Sequence, residues 1–62
     1  MTLQQALEQW VEGEDISRES MRAVMRTVMT GEASQAQIGA MLVALRMKGE
    51  AIEEIAGAAE VM

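Results

Sequence analysis

The chain has 62 residues and a net charge of −5 at neutral pH, from ten acidic and five basic side chains. This acidic balance argues against nucleic acid, because phosphate contacts need a surplus of Lys and Arg. There is no Cys and no His, which excludes a disulfide framework, a thiolate nucleophile and the usual zinc sites. A chain this short buries only about 60% of its unfolded surface. A partner surface is therefore the remaining stabilising device.

No segment is typical of export or of membrane insertion. The amino terminus lacks a basic stretch followed by an apolar one, which argues against a signal peptide. The longest strongly apolar run, Ile38 to Leu45, is well short of the roughly 20 residues that a membrane span needs. We therefore expect a cytoplasmic protein that binds neither nucleic acid nor membranes.

The composition favours helix along the whole chain, because Pro is absent and Ala, Leu, Met, Glu and Gln are abundant. Gly13, Gly31 and Gly49 each follow a segment with helical periodicity. A glycine just past a helix end adopts the left-handed conformation without steric cost. The pattern predicts an all-α fold, a small bundle of four short helices at about 2–12, 17–30, 34–48 and 52–62.

The first two helices have distinct start signals and clear apolar faces. Thr2 with Gln5 forms a capping box at the first start, and Ser17 precedes the second helix. The second helix has methionines on one face and guanidinium groups on the other. Three aligned arginines can bind phosphate or an acidic partner, but we favour the more common solvated face of an amphipathic helix. The two stripes are Met21, Met25, Met29 and Arg18, Arg22, Arg26.

The third helix differs from the others. It begins at a second capping box, Ser34 with Gln37. From Ile38 to Met47 only Arg46 is charged, so the helix is apolar nearly all round. Such a helix is central in a bundle or shared with a partner, and three short neighbours supply little cover. We therefore predict that it contacts a partner and that the chain is partly dimeric.

The fourth helix has a weak start. Ala51 occupies the cap position and offers no side-chain acceptor, at a cost of about 1 kcal/mol. We therefore expect the start to shift to Glu50 or to fray. Glu53 and Glu54 lie in the first turn, where acidic residues are normally solvated and suit the helix dipole.

Two glycines lie inside predicted helices, Gly39 in the third and Gly57 in the fourth. Glycine in a helix interior costs about 0.5–1 kcal/mol relative to Ala. The usual compensation is the close approach of another helix, so both positions predict packing contacts.

The sequence offers no catalytic apparatus. The candidate nucleophiles Ser17, Ser20 and Ser34 have no histidine to activate them, and all three lie where helix starts need caps. The acidic cluster of residues 12–15 matches no calcium-loop spacing, and polar-loop carboxylates are normally solvated. We therefore predict no catalytic, cofactor-binding or metal-binding residue.

The third helix and the turn after it carry a recognisable sequence. Residues 35–50 read Gln-Ala-Gln-Ile-Gly-Ala-Met-Leu-Val-Ala-Leu-Arg-Met-Lys-Gly-Glu, and residues 53–59 read Glu-Glu-Ile-Ala-Gly-Ala-Ala. Upstream, residues 13–17 read Gly-Glu-Asp-Ile-Ser and residues 29–33 read Met-Thr-Gly-Glu-Ala. Over essentially its whole length the chain resembles the amino-terminal helical domain of the anthranilate phosphoribosyltransferases. The pyrimidine nucleoside phosphorylases share this domain but match less well at the turn after the third helix.

The resemblance implies that residues 1–62 are one helical domain at the amino terminus of a longer enzyme, whose α/β catalytic domain lies outside this chain. That enzyme transfers phosphoribose from phosphoribosyl pyrophosphate to anthranilate in tryptophan biosynthesis, with magnesium. Its reacting groups lie mainly in the α/β domain, so no catalytic residue carries over to this chain. What the resemblance implies here is a scaffold that contributes to a homodimer interface and packs against the α/β domain.

The residues expected at that interface are apolar residues of the first and third helices. Two other hypotheses remain open: a stand-alone helical interaction module, and the helical domain of a pyrimidine nucleoside phosphorylase relative. The expected interface residues are Leu3, Leu7, Trp10, Ile38, Met41, Leu42 and Leu45.

Overall fold

The computed structural model describes all of residues 1–62. They form four α-helices and no strand, which confirms the predicted all-α fold. Each boundary lies within one residue of the predicted one, and no helix is both long and apolar enough to span a bilayer. The helices are α1 (Leu3–Val11), α2 (Arg18–Met29), α3 (Gln35–Lys48) and α4 (Ile52–Val61).

The helix ends follow the local signals of the sequence. Gly13, Gly31 and Gly49 have φ angles of 79°, 79° and 87°, the left-handed region that favours glycine. The predicted capping boxes of α1 and α3 are both made. The Ser17 hydroxyl accepts a hydrogen bond from the backbone N–H of Ser20 at the start of α2. These helix ends are therefore set by residues that are close to one another in the sequence.

The start of α4 corrects the sequence-based expectation. The helix begins at Ile52, with Ala51 in an extended cap conformation, and does not shift to Glu50. The reason is the Glu54 side chain, whose Oε1 accepts the Ala51 backbone N–H at 3.0 Å. One half of a capping box therefore replaces the missing side-chain cap.

The core lies between two helix pairs. α2 packs most extensively on α4, and α1 packs on α3 and more lightly on α2. Trp10, the only aromatic residue, is 2% exposed and lies in this core. The other buried apolar residues are Leu3, Ala6, Ile16, Met21, Val24, Met25, Met41, Ala44 and Leu45.

The two helix-interior glycines behave differently. A Cβ atom on Gly57 would lie 2.5 Å from the Arg18 carbonyl oxygen and 2.9 Å from the Met21 Cβ. The predicted close approach is thus confirmed there, between α4 and α2. A Cβ atom on Gly39 would have no neighbour within 4 Å. Nothing in this chain therefore makes use of Gly39.

The third helix buries only one side. Met41, Ala44 and Leu45 face the core. Val43 and Met47 face outwards, with 59% and 83% of their surface exposed. The helix is thus apolar on a covered face and on an uncovered one, as its sequence predicted.

Candidate functional site: a buried ion pair and two apolar surfaces

The most concentrated polar chemistry of the molecule surrounds Glu54, which is 1% exposed. Its Oε2 accepts a hydrogen bond from the Trp10 indole N–H at 2.7 Å and one from the Ile16 backbone N–H at 2.9 Å. Its Oε1 accepts the Ala51 N–H at 3.0 Å and the Lys48 ammonium at 2.7 Å. One carboxylate therefore ties together α1, the first loop, the end of α3 and the start of α4.

Lys48 is the buried cation of this site, with a side chain only 4% exposed. Its ammonium group donates three hydrogen bonds, which is all that it can donate. The acceptors are Asp15 Oδ1 at 2.7 Å, Glu54 Oε1 at 2.7 Å and the Gly49 carbonyl oxygen at 2.8 Å. The only lysine of the chain thus joins the first loop to the turn between α3 and α4.

Both members of the pair stay charged at neutral pH. Burial by itself raises the pKa of Glu54, but the hydrogen bonds from Ala51, Lys48, Ile16 and Trp10 outweigh it and lower that pKa. Burial by itself lowers the pKa of Lys48, but the hydrogen bonds to Asp15 and Glu54 outweigh it and raise that pKa.

All the hydrogen-bonding positions of the Glu54 carboxylate are occupied within the fold, so none is free to take part in a reaction. A carboxylate has about four acceptor sites, and Glu54 uses four. General acid–base catalysis needs a group that reaches a substrate proton, and this one reaches only its own fold. No buried side-chain nitrogen or oxygen lacks a partner. The ion pair therefore serves the structure of the domain.

This site corrects the expectation that the acidic residues of the first turn of α4 are solvated. Glu53 is exposed as expected, but Glu54 is buried. Glu12, Glu14 and Asp15 lie exposed in the first loop. No group of three or more acidic side chains is placed to hold a metal ion.

The arginine stripe of α2 is used mainly within the chain. Arg18 contacts Glu53 at 3.1 Å and Arg22 contacts Glu60, both across the α2–α4 seam. The hydrogen bond from Arg22 lowers the pKa of Glu60, and the hydrogen bond to Glu53 raises the pKa of Arg18. Arg26 is exposed on the same helix. Two of the three guanidinium groups therefore pair with carboxylates of α4.

The expected interface residues separate into three groups by burial. Leu3, Trp10, Met41 and Leu45 are between 2% and 6% exposed, because they fill the core of this single chain. Of these, Met41 and Leu45 also line a groove described below. Leu7 and Ile38 are half-buried, and only Leu42, at 60%, is well exposed. Whether a partner binds through these residues remains a prediction.

Two apolar surfaces remain uncovered. One is the outward side of α3, which includes Val43 and Met47. The other is a groove of about 280 Å³ between α2, α3 and α4. Sequence reasoning identified α3 but missed the groove, since it depends on how α4 crosses the methionines of α2. Its apolar lining consists of Met21, Met25, Met41, Leu45, Ile55, Ala58, Ala59 and Met62.

Comparison with known proteins matches the whole bundle to one family. The glycosyl transferase family, helical bundle domain, matches residues 4–62. The chain is 60% identical over its full length to an anthranilate phosphoribosyltransferase from Cellvibrio japonicus, and 56% and 55% identical to those from Teredinibacter turnerae and Marinobacter nauticus. In each case it covers 18% of the relative, as the N-terminal part.

Proposed function

The chain belongs to the glycosyl transferase helical bundle domain family, and on this premise we propose that it is the N-terminal helical domain of an anthranilate phosphoribosyltransferase. The observation that carries the proposal is the 55–60% identity, over all 62 residues, to three enzymes of that name. The parent enzyme transfers phosphoribose from phosphoribosyl pyrophosphate to anthranilate, in tryptophan biosynthesis in the cytoplasm.

Within that enzyme these residues form a scaffold and perform no chemical step. The support is the ion pair of Lys48 and Glu54, whose polar atoms are all occupied inside the fold. By family resemblance the parent enzyme uses magnesium, and we propose that the α/β domain supplies its ligands; the carboxylates of this chain form no cluster that suits a metal ion. The α/β catalytic domain is the partner proposed for the groove between α2, α3 and α4, because apolar lining of this kind needs cover.

A domain exchange tests the proposal. The matching N-terminal residues of the Cellvibrio japonicus enzyme are replaced by these 62 residues, and the formation of phosphoribosyl anthranilate is followed by the loss of anthranilate fluorescence. We expect the chimera to retain the transferase activity, because the two sequences are 60% identical over these 62 residues. The unmodified enzyme and the isolated chain are the positive and negative controls.

Two outcomes contradict the proposal. One is a chimera that is folded by circular dichroism and elutes like the unmodified enzyme, but does not consume anthranilate. The other is a native parent protein that cleaves pyrimidine nucleosides with phosphate and leaves anthranilate unchanged, which supports the phosphorylase hypothesis instead.

A further inference from the structure

We propose that Glu50, at the edge of the groove between α2, α3 and α4, binds a Lys or Arg side chain of the parent-enzyme segment that covers this groove. The inference rests on the function proposed above, because it takes the remainder of that enzyme as the occupant. This chain covers 18% of each relative, as the N-terminal part, so most of such an enzyme lies outside it. The covering segment must then supply both an apolar surface and a positive charge.

The groove has an apolar floor and an apolar side. Met25, Met41 and Leu45 belong to the floor and are only 6–7% exposed. Ile55 and Met62 line the α4 side and are 56% and 75% exposed. Exposed apolar surface that adjoins a depression of this kind marks a contact site. The apolar lining therefore suits an apolar stripe of the covering segment.

Only two polar residues line the groove, Glu50 and Glu54. Glu54 is 1% exposed and accepts four hydrogen bonds inside the fold. Glu50 is exposed and takes part in none of the five ion pairs of the chain. Among the acidic residues outside those ion pairs, it alone lines the groove. The groove therefore has one unpaired charge at its edge.

The buried ion pair holds the backbone on both sides of Glu50. On one side, the Gly49 carbonyl oxygen accepts a hydrogen bond from the Lys48 ammonium at 2.8 Å. On the other side, the Ala51 N–H donates to the Glu54 carboxylate at 3.0 Å. The Glu50 carboxylate is therefore preorganised at the edge of the groove, which lowers the entropic cost of binding a partner.

A segment that covers the groove makes the charge of Glu50 costly unless that charge is paired. A carboxylate that loses water beside an apolar surface destabilises the contact when no donor or opposite charge reaches it. The net charge of −5 favours a positively charged partner surface. Arg46 lines a neighbouring surface with Glu50 but pairs with no carboxylate of this chain. The counter-charge therefore comes from the covering segment.

Thermal melts of the chimera described above test the proposal, with substitutions at Glu50 and at Glu32. Glu32 is the matched control, because each of the two residues follows a glycine at a helix end, is exposed and forms no ion pair. Glu32 does not line the groove. Glu50→Lys is expected to lower the melting temperature of the chimera by about 4 °C or more, because two cations then face each other. Glu32→Lys is expected to leave it nearly unchanged.

Two further measurements separate the charge of Glu50 from its shape and from the stability of the bundle. Glu50→Gln keeps the size of the side chain and removes the charge, so a smaller fall of the melting temperature is expected in the chimera. In the isolated chain Glu50→Lys is expected to leave the urea midpoint unchanged, because no partner is lost there.

Three results overturn the proposal. The first is a chimera that tolerates Glu50→Lys as well as it tolerates Glu32→Lys. The second is a chimera that tolerates Glu50→Gln without any fall, since the partner of Glu50 is then a neutral donor. The third is an isolated chain that loses as much stability as the chimera, since Glu50 then acts within the bundle.

Transferase activity separates this inference from the proposed function. An active chimera whose Glu50 and Glu32 variants melt alike contradicts only the cationic partner of Glu50. A folded but inactive chimera contradicts only the transferase proposal, if Glu50→Lys still lowers its melting temperature and Glu32→Lys does not.

Discussion

The third residue of the helix, Gln37 in α3 and Glu54 in α4, has a different role at the start of each helix. At α3, Ser34 and Gln37 exchange two hydrogen bonds of 2.9 and 3.1 Å on an exposed surface. At α4, Ala51 has no side-chain acceptor, and Glu54 occupies the position of Gln37. Glu54 makes only one half of the local exchange, but it also binds groups in two distant segments and the end of α3. The start of α3 is therefore stabilised by residues close in the sequence, whereas the start of α4 depends on a side chain that also binds distant segments.

The difference teaches what each start can stabilise. An exposed capping box contributes about 1 kcal/mol to its own helix. A buried carboxylate with four donors holds several segments in place, and its loss exposes each of those donors to an apolar interior. We therefore expect the two starts to respond to substitution with very different magnitudes.

The largest effect is expected from Glu54→Ala. The change leaves the Trp10 indole N–H and the Ile16 N–H without partners and removes one of the two carboxylates that pair with buried Lys48. Breaking a buried ion pair costs about 3–5 kcal/mol, and a domain of this size has about that much stability in total. We expect a largely unfolded chain by circular dichroism and urea titration.

Two control variants test whether the loss of stability is specific to Glu54. Glu53→Ala removes the neighbouring carboxylate, which is exposed, and should cost less than about 1 kcal/mol. Gln37→Ala removes the equivalent side chain of α3 and should cost a similar small amount. If Glu54→Ala melts like either control, the buried network does not hold the fold together.

Acidification should weaken the same network without a substitution. The folded-state pKa of Glu54 lies below its ordinary value of 4.5. Its contribution to stability is therefore present above pH 4.5 and is lost as the pH falls through the folded-state pKa. The fluorescence of Trp10, which donates to Glu54 at 2.7 Å, reports the change. An acid transition that coincides in the wild type and in Glu54→Gln would contradict this assignment.

Alkaline conditions test the cationic partner. The folded-state pKa of Lys48 lies above its ordinary value of 10.5. Its contribution to stability is complete below pH 10.5 and is lost as the pH rises through the folded-state pKa. The urea midpoint of the wild type should fall as the pH rises above 10.5. A midpoint that does not change with pH would show that the charge of Lys48 does not contribute to stability.

Substitution of the two helix-interior glycines by Ala is expected to change the stability less than Glu54→Ala does, and in opposite directions. Gly57→Ala places a methyl group 2.5 Å from the Arg18 carbonyl oxygen, so α4 must move from α2 at a cost of about 1–3 kcal/mol. Gly39→Ala meets open space and should stabilise the monomer by up to about 1 kcal/mol through helix propensity. Thermal melts at low micromolar concentration compare the two, and equal shifts would contradict the packing difference.

The smallest effects are expected at the caps. Ala51→Ser adds the missing acceptor to an extended cap residue, with φ −80° and ψ 155°, and should stabilise the chain by about 0.5–1 kcal/mol. Ser34→Ala removes an existing cap and should destabilise it by about 1 kcal/mol. Urea titration measures whether each substitution raises or lowers the free energy of unfolding. A destabilised Ala51→Ser would mean that the Glu54 carboxylate leaves no room for a local cap.

The candidate site was harder to predict than the helices. Lys48 is the only lysine and Trp10 the only aromatic residue, and a buried indole N–H usually needs an acceptor. Those two facts were the available signals for a buried carboxylate. They do not select Glu54 over Glu53, because that choice depends on which side of α4 meets the first loop.

The sequence by itself determined the four helices, all their ends except the start of α4, and the apolar character of α3, because these depend on contacts within a few residues of the chain. Only the tertiary structure decided that Lys48 and Glu54 are buried together, that Gly57 has a neighbour and Gly39 has none, and that Leu45 faces the core while Met47 faces outwards. The physical reason is that local signals set where a helix begins and ends. Burial and pairing depend on how the helices cross.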